Sequence, residues 1–195
     1  MAKKIKIKDS DALIVVDVQN DFIPGGALAV SEGDKVVPVL NRLLLKFKTR
    51  VFTRDWHPGD HCSFAKQPKF VDRSWPAHCV ANTKGAQFPL ELQVPQDALI
   101  VSKGADKSKE AYSGFQGTSL AKDLRAKGIK RVLVAGLATD YCVKATVLDA
   151  IKNGFEAWLI ADAARGVDIP AGSVDAAVRE MKKAGAKVIE SKDLG

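Results

Sequence analysis

Residues 131–162, RVLVAGLATDYCVKATVLDAIKNGFEAWLIAD, decide how the chain is read. RVLVAG (131–136) is a short apolar run rich in branched residues, which suits a strand buried on both faces. TDYCVKATVLDAIKNG (139–154) carries apolar residues at helical spacing and stops at Gly154, a residue type favoured just past helix ends. FEAWLIAD (155–162) is a second strand. Strand, helix and strand in so few residues make a βαβ unit, whose two strands lie parallel.

The same alternation recurs outward in both directions. ALIVVD (12–17), RVFTRD (50–55), ALIVSKG (98–104) and AKVIES (186–191) read as further strands. GDKVVPVLNRLLLKFK (33–48), GTSLAKDLRAKG (117–128) and SVDAAVREMKKAG (173–185) read as helices, with Pro38 tolerated only in a first turn. Six strands alternating with helices predict an α/β fold: an open, mainly parallel six-stranded sheet with helices on both faces and right-handed crossovers. Residues 1–195 are expected to form one domain.

Bulk properties exclude several classes. Hydrophobic residues make up 46% of the chain, as in soluble globular proteins. No apolar run reaches the roughly 18 residues of a membrane span. The basic start, MAKKIKIKDSD, is not followed by a signal-like apolar stretch, so the cytoplasm is the expected location. Three cysteines, Cys62, Cys79 and Cys142, are too few and odd in number for a disulfide framework. The net charge of +7 invites a nucleic-acid reading, yet the lysines (Lys35, Lys46, Lys48, Lys122, Lys127, Lys130, Lys152, Lys182, Lys183) are dispersed and fit solvated helix faces. The first strand is followed by no G-x-G-x-x-G, and the chain has no P-loop lysine motif, which weakens a nucleotide-binding role.

In open parallel sheets, ligands bind beyond the carboxyl ends of the strands. Polar residues that close apolar strands are therefore site candidates: Asp17, Asp55, Lys103 and the turn 138–142. Cys142 falls in the first turn of a helix, where a positive dipole end and free N–H groups favour a thiolate and could hold an oxyanion. Thr139 or Asp140 is the expected N-cap. The competing reading makes Cys142 an inert buried thiol. A nucleophile would need a base from another strand end; Asp17 could accept its proton and Lys103 could hold both groups. As alternatives, Asp17 caps a turn and Lys103 is a solvated surface lysine.

The irregular stretch from His57 to Asp97 holds all three histidines. Asp55 and His57 are two apart, so an extended segment places both side chains on one side. With His78 they make a donor set suited to zinc, iron or manganese, leaving positions open for water or substrate. His61 either ligates as well or orients a ligand from behind. A mixed Cys/His zinc site using Cys62 and Cys79 competes with this, but their SF and CV contexts suit packing residues.

DVQNDFIPGGAL (17–28), TRDWHPGDHCSF (53–64), WPAHCV (75–80), KGADKSKEAYSGFQGT (103–118) and GLATDYCVKAT (136–146) together resemble the successive signatures of nicotinamidases, within the isochorismatase-like cysteine hydrolases. The resemblance implies a Rossmann-like three-layer sandwich and an Asp17–Lys103–Cys142 catalytic triad. It implies one divalent metal ion, zinc before iron or manganese, on Asp55, His57 and His78, with His61 a ligand in some members only. It implies a cis peptide at Leu137–Ala138, an oxyanion hole from the Ala138 and Cys142 amides, and a ring pocket of Phe22, Trp75 and Tyr112. The implied reaction converts nicotinamide to nicotinic acid and ammonia through a thioester, in NAD salvage. Neither nucleic acid nor membrane is an implied partner, and a homo-oligomer is left open. The alternatives are another hydrolase of the superfamily, acting on a carbamoyl, ureidoacrylate or isochorismate-like compound, and a non-catalytic metal-binding α/β module.

Overall fold

The computed structural model describes residues 4–195; residues 1–3 of the basic start lie outside the described residues. Six strands are formed: β1 (Asp11–Val16), β2 (Thr49–Asp55), β3 (Leu99–Lys103), β4 (Arg131–Leu137), β5 (Glu156–Arg165) and β6 (Lys187–Ile189). They make one sheet in the order β3-β2-β1-β4-β5-β6, and every neighbouring pair is parallel. Four helices accompany them: α1 (Val36–Leu44), α2 (Leu120–Ala126), α3 (Lys144–Lys152) and α4 (Ser173–Lys183).

Alternation along the central strands builds two cores. Leu13 and Val15 of β1 join Leu133 and Ala135 of β4 under α1, whose Val36, Val37, Leu40, Leu43 and Leu44 are buried. Ala12, Ile14 and Val16 face the other way, with Val132 and Val134, onto Leu120 and Leu124 of α2, Val147 and Ala150 of α3, and Met181 of α4. A strand buried on both faces favours apolar side chains, which is why 12–16 of β1 read as an unbroken hydrophobic run, while the buried Asp11 before them is paired with Arg131.

The elements differ from the sequence expectation mainly at their ends. The helix expected over 33–48 opens as a 3-10 turn at Gly33–Lys35 and ends at Leu44. Pro38 is its third residue, inside the first turn, where no intrahelical donor is needed. β5 runs three residues beyond Asp162 because its pairing with β4 slips between Val134 and Gly136, which brings Ala164 and Arg165 beside the end of β4. The nine lysines dispersed along the chain are exposed, and Lys35, Lys48 and Lys152 pair with neighbouring acids, as solvated surface charges do.

β1 and β4 are the two central strands, and the chain departs from them in opposite directions along the sheet. That is the topological switch point, where a crevice opens beyond the strand ends. Gly136 lies at this junction with φ +115°, and a Cβ there would lie 2.2 Å from the Val16 carbonyl oxygen. Gly136→Ala should therefore lower stability by about 1–3 kcal/mol or more, read as a fall in the urea midpoint; an unchanged midpoint would contradict the tight β1–β4 approach.

Candidate active site

Four adjacent strand ends supply the site. In spatial order they present Lys103 on β3, Asp55 on β2, Asp17 just past β1, and the turn after β4 that carries Cys142. Asp17 takes φ +48°, leaving the strand sharply with its side chain fully buried. Thr53 donates its hydroxyl to Asp17 Oδ1 at 2.6 Å. Thr53 is two residues before Asp55 on β2, so both project from the same face.

Lys103 joins these groups. Its ammonium is 2.9 Å from Asp17 Oδ2 and 2.6 Å from Asp55 Oδ1, and its side chain is 0% exposed. It also donates to the Ala111 carbonyl at 3.1 Å and to Cys142 Sγ at 3.4 Å. Burial alone would strip the proton from this lysine; the two carboxylates outweigh burial and hold its pKa well above the ordinary value. Asp55 shows the reverse balance: burial favours its neutral form, but Lys103 and His57 hold its carboxyl well below the usual range. Asp17 is pushed up, chiefly by burial, with Lys103 pulling against it and Asp55 adding to the rise.

Carboxylate oxygens of Asp17 and Asp55 and the sulfur of Cys142 all lie within 4.8 Å of one another. Asp17 Oδ2 has no hydrogen-bond donor in line despite its ion pair, so it keeps a lone pair for a proton. Cys142 is in a π-helical turn, Thr139–Val143, that leads into α3, with Ala138 at the N-cap position. Two expectations are corrected here. The thiol pKa is raised, because burial, with Asp17 and Asp55 adding to it, outweighs the attraction of Lys103; a helix start does not by itself give a thiolate. Asp140 does not cap the helix. Its carboxylate accepts from the Val167 and Asp168 amides at 3.0 and 2.9 Å and from the Ser173 hydroxyl at 2.6 Å, tying this turn to the start of α4. The Leu137–Ala138 peptide is cis.

The histidines assemble beside the triad. Ligand atoms of Asp55, His57 and His78 lie within 4.8 Å of one another. His57 Nδ1–H donates to the Gly104 carbonyl at 2.9 Å, and His78 Nδ1–H to the Pro76 carbonyl at 2.8 Å. A carbonyl can only accept, so in the neutral form of each ring the Nε2 lone pair is the one left free. Two such imidazoles and a charged carboxylate fit a divalent cation, with the backbone contacts fixing each ring. Burial lowers the pKa of His78 and so favours the neutral, ligating form. His61 stands apart from this set. Its Nε2 faces the Lys109 carbonyl at 3.2 Å and its Nδ1 the Ser63 hydroxyl at 2.8 Å, while its ring centre is 4.2 Å from that of His57. Its ligand atom does group with those of His57 and Glu110. Cys79 is buried but Cys62 is exposed, so the expectation of two packing cysteines holds for Cys79 alone. Cys62 sits in a surface loop, its amide donating to the Lys107 carbonyl.

Cys142, Ala138, Asp55, His57 and His78 share one pocket of about 450 Å³, mouth included, with Phe22, Trp75 and Tyr112 on its walls. Trp75 donates its indole N–H to the Tyr112 hydroxyl at 3.1 Å, and Tyr141 packs edge-on to Trp75 at 5.0 Å. Residues 11–193 match the family described as the isochorismatase domain. The chain belongs to the isochorismatase family. It is 43% identical to the nicotinamidase of Escherichia coli K12, over 90% of this chain and 92% of that one. It is 39% identical to the nicotinamidase of Acinetobacter baylyi, over 98% and 97%. The pyrazinamidase of Pyrococcus horikoshii, solved in complex with zinc, superposes with a TM-score of 0.84 at 50% identity, covering 93% of this chain and 99% of that chain.

Within this isochorismatase fold, several residues of the site carry no chemical signal in sequence. Tyr141, Leu28, Val30 and Val167 read as ordinary core or loop residues, yet they complete the pocket wall. Gly104 is another: a Cβ there would meet the His57 ring at 2.4 Å. Thr53 was legible in principle, through its two-residue spacing from Asp55.

Among the described residues, Lys103 is the cation that the two carboxylates share. Lys103→Met should lower the free energy of unfolding by about 3–5 kcal/mol. Cys142→Ser should stay within about 1 kcal/mol of the parent chain. Urea denaturation of both variants checks the contrast, and a Lys103→Met protein as stable as the parent would exclude a buried ion pair.

Proposed function

We propose that this chain is a cysteine amidohydrolase that converts nicotinamide to nicotinic acid and ammonia. The carrying observation is that Cys142 and the Asp55/His57/His78 donor set line one aromatic-walled pocket, with Asp17 and Lys103 buried directly behind them. The relatives named nicotinamidase, matched along nearly their whole length, support the substrate. Residues 1–195 act as one catalytic domain, and the nicotinic acid formed returns pyridine to nucleotide synthesis.

A divalent cation held by Asp55, His57 and His78, with zinc favoured by the donor set and by the zinc complex of the Pyrococcus relative, supplies a Lewis-acidic site for a pyridine nitrogen. The chain's own residues do the rest. Phe22, Trp75 and Tyr112 confine a flat ring. Asp17, its pKa raised by burial, takes the thiol proton through the oxygen that lacks a donor in line. This transfer accompanies attack, because burial makes the free thiol resist ionisation. The sulfur adds to the amide carbon, and the Ala138 and Cys142 amides receive the oxyanion. Asp17 returns the proton to the amide nitrogen, the C–N bond breaks, and ammonia leaves a thioester. A water gives its proton to Asp17 and its oxygen to the acyl carbon; the C–S bond breaks and the sulfur regains the proton. Lys103 stays protonated throughout and holds Asp17 and the sulfur in register.

An ammonia-release assay with nicotinamide, run beside elemental analysis, tests this. Cys142→Ala should retain its fold by circular dichroism and release no ammonia above background; full activity would rule the scheme out. Turnover of a carbamoyl compound in place of nicotinamide would move the substrate assignment within the family. Removing the bound cation should raise KM for nicotinamide more than it lowers kcat, and an unchanged KM in verified cation-free protein would refute the positioning role.

A further inference from the structure

The segment Asp17–Phe22 contributes Asp17 to the triad and Phe22 to the pocket wall, which leaves Gln19 and Asp21 without a role. Both are anchored with a specificity that a simple loop does not need. Gln19 is 0% exposed. Its Oε1 accepts the Asp55 amide at 2.8 Å, and its Nε2 donates to the Asp55 carbonyl at 2.8 Å and to the Ala86 carbonyl at 2.9 Å. One side chain therefore grips both backbone polar groups of Asp55. Asp21 works on the opposite limb: its Oδ2 accepts the Cys79 amide at 2.7 Å, directly after His78. The backbones are zipped as well, with the Asn20 amide donating to Gln87 at 2.9 Å and the Asp21 amide to Gly85 at 3.0 Å. No slack remains, since a Cβ at Gly85 would lie 2.0 Å from Asp21 Oδ2.

Asp55 and His78 come from segments far apart in sequence, joined by one short backbone bridge in which the His57 amide donates to the Cys79 carbonyl at 3.1 Å and the Ala81 amide to the His57 carbonyl at 2.8 Å. His78 itself lies in irregular chain, its Nδ1–H bonded to the Pro76 carbonyl two residues away, so the side-chain ties of Gln19 and Asp21 flank that single bridge on either side. We infer that Gln19 and Asp21 are positioning residues that set the separation of the cation ligands Asp55 and His78, so that the first loop acts as the template of the cation site. The inference rests on the cation reading proposed above. It predicts that the two residues act on cation affinity and ligand geometry ahead of the sulfur chemistry, because neither touches Cys142 or Lys103. Gln19→Glu keeps the shape but replaces the donor to two buried carbonyls with an acceptor. Asp21→Ala removes the acceptor for Cys79, and Asp21→Asn keeps one oxygen for it.

The test is zinc affinity by chelator competition on the full chain, with the visible spectrum of the cobalt(II)-substituted protein and the melting temperature of the cation-free form. Outer groups that hold metal ligands are typically worth about 10–100-fold in affinity. Gln19→Glu and Asp21→Ala should lose zinc affinity by that factor and shift the cobalt spectrum. Asp21→Asn should bind zinc within about threefold of the parent chain. Parent-like zinc affinity and cobalt spectra in Gln19→Glu and Asp21→Ala would overturn the inference while leaving the cation site standing. A parent chain that binds no zinc would instead overturn the cation reading itself. Should Asp21→Ala fail to fold, Gln19→Glu against Asp21→Asn decides the matter.

Discussion

A single ammonium group, buried and shared between two carboxylates, is the constraint on which the site depends. Lys103 contacts Asp17 on one side and Asp55 on the other, with no exposure to solvent. Each of these charges would be costly to bury alone, and together they are stable only in a defined geometry. Asp17 faces the sulfur and Asp55 faces the imidazoles, so the lysine couples the thiol side of the cluster to its histidine side. Neighbouring parallel strands are about 4.8 Å apart. From β3 a lysine can therefore span β2 and still reach the end of β1. A shorter side chain, or a strand order that separated β3 from β2, would leave both carboxylates unpaired.

The same burial explains the protonation balance. Cys142 is buried, so its thiol is pushed toward the neutral form although it starts a helix and touches an ammonium. Asp17 is pushed up for the same reason. The raised pKa of Asp17 makes it a stronger acceptor for the thiol proton, while the raised pKa of Cys142 keeps that proton on sulfur until attack. Asp55 is the contrasting carboxylate. Lys103 and His57 hold it in the charged form. Two aspartates at adjacent strand ends thus serve different ends, separated by how many positive neighbours each has.

The turn after β4 and the loop after β1 face each other across the switch point, and both are held by carboxylates that do no chemistry. Asp140 accepts the Val167 and Asp168 amides and ties the turn that carries Cys142 to the start of α4. Asp21 accepts the Cys79 amide across the pocket. Irregular backbone at a buried site carries unsatisfied N–H groups. Side-chain acceptors supply what a strand or helix would otherwise provide, and in doing so they fix the walls.

The strands, their parallel arrangement and the four polar strand ends were legible along the chain, because burial on both faces forces unbroken apolar runs and ligands collect where those runs stop. Asp17, Asp55, Lys103 and Cys142 follow from that rule, and the histidines from their clustering. Element ends were read less well: the β5 extension depends on a register slip against β4, and the helix start at Cys142 became a π turn with Asp140 pointing away from it. What only the tertiary structure decided is every relation between distant residues. Lys103 as a buried ion-pair hub, Tyr141 and Val167 as pocket wall, His61 outside the Asp55/His57/His78 set, and Gln19 gripping Asp55 all depend on distances across segments. Periodicity reports only which face of its own element a residue occupies. The free energy of these contacts comes from partners that the local sequence does not name, and so they became readable only once the chain was folded.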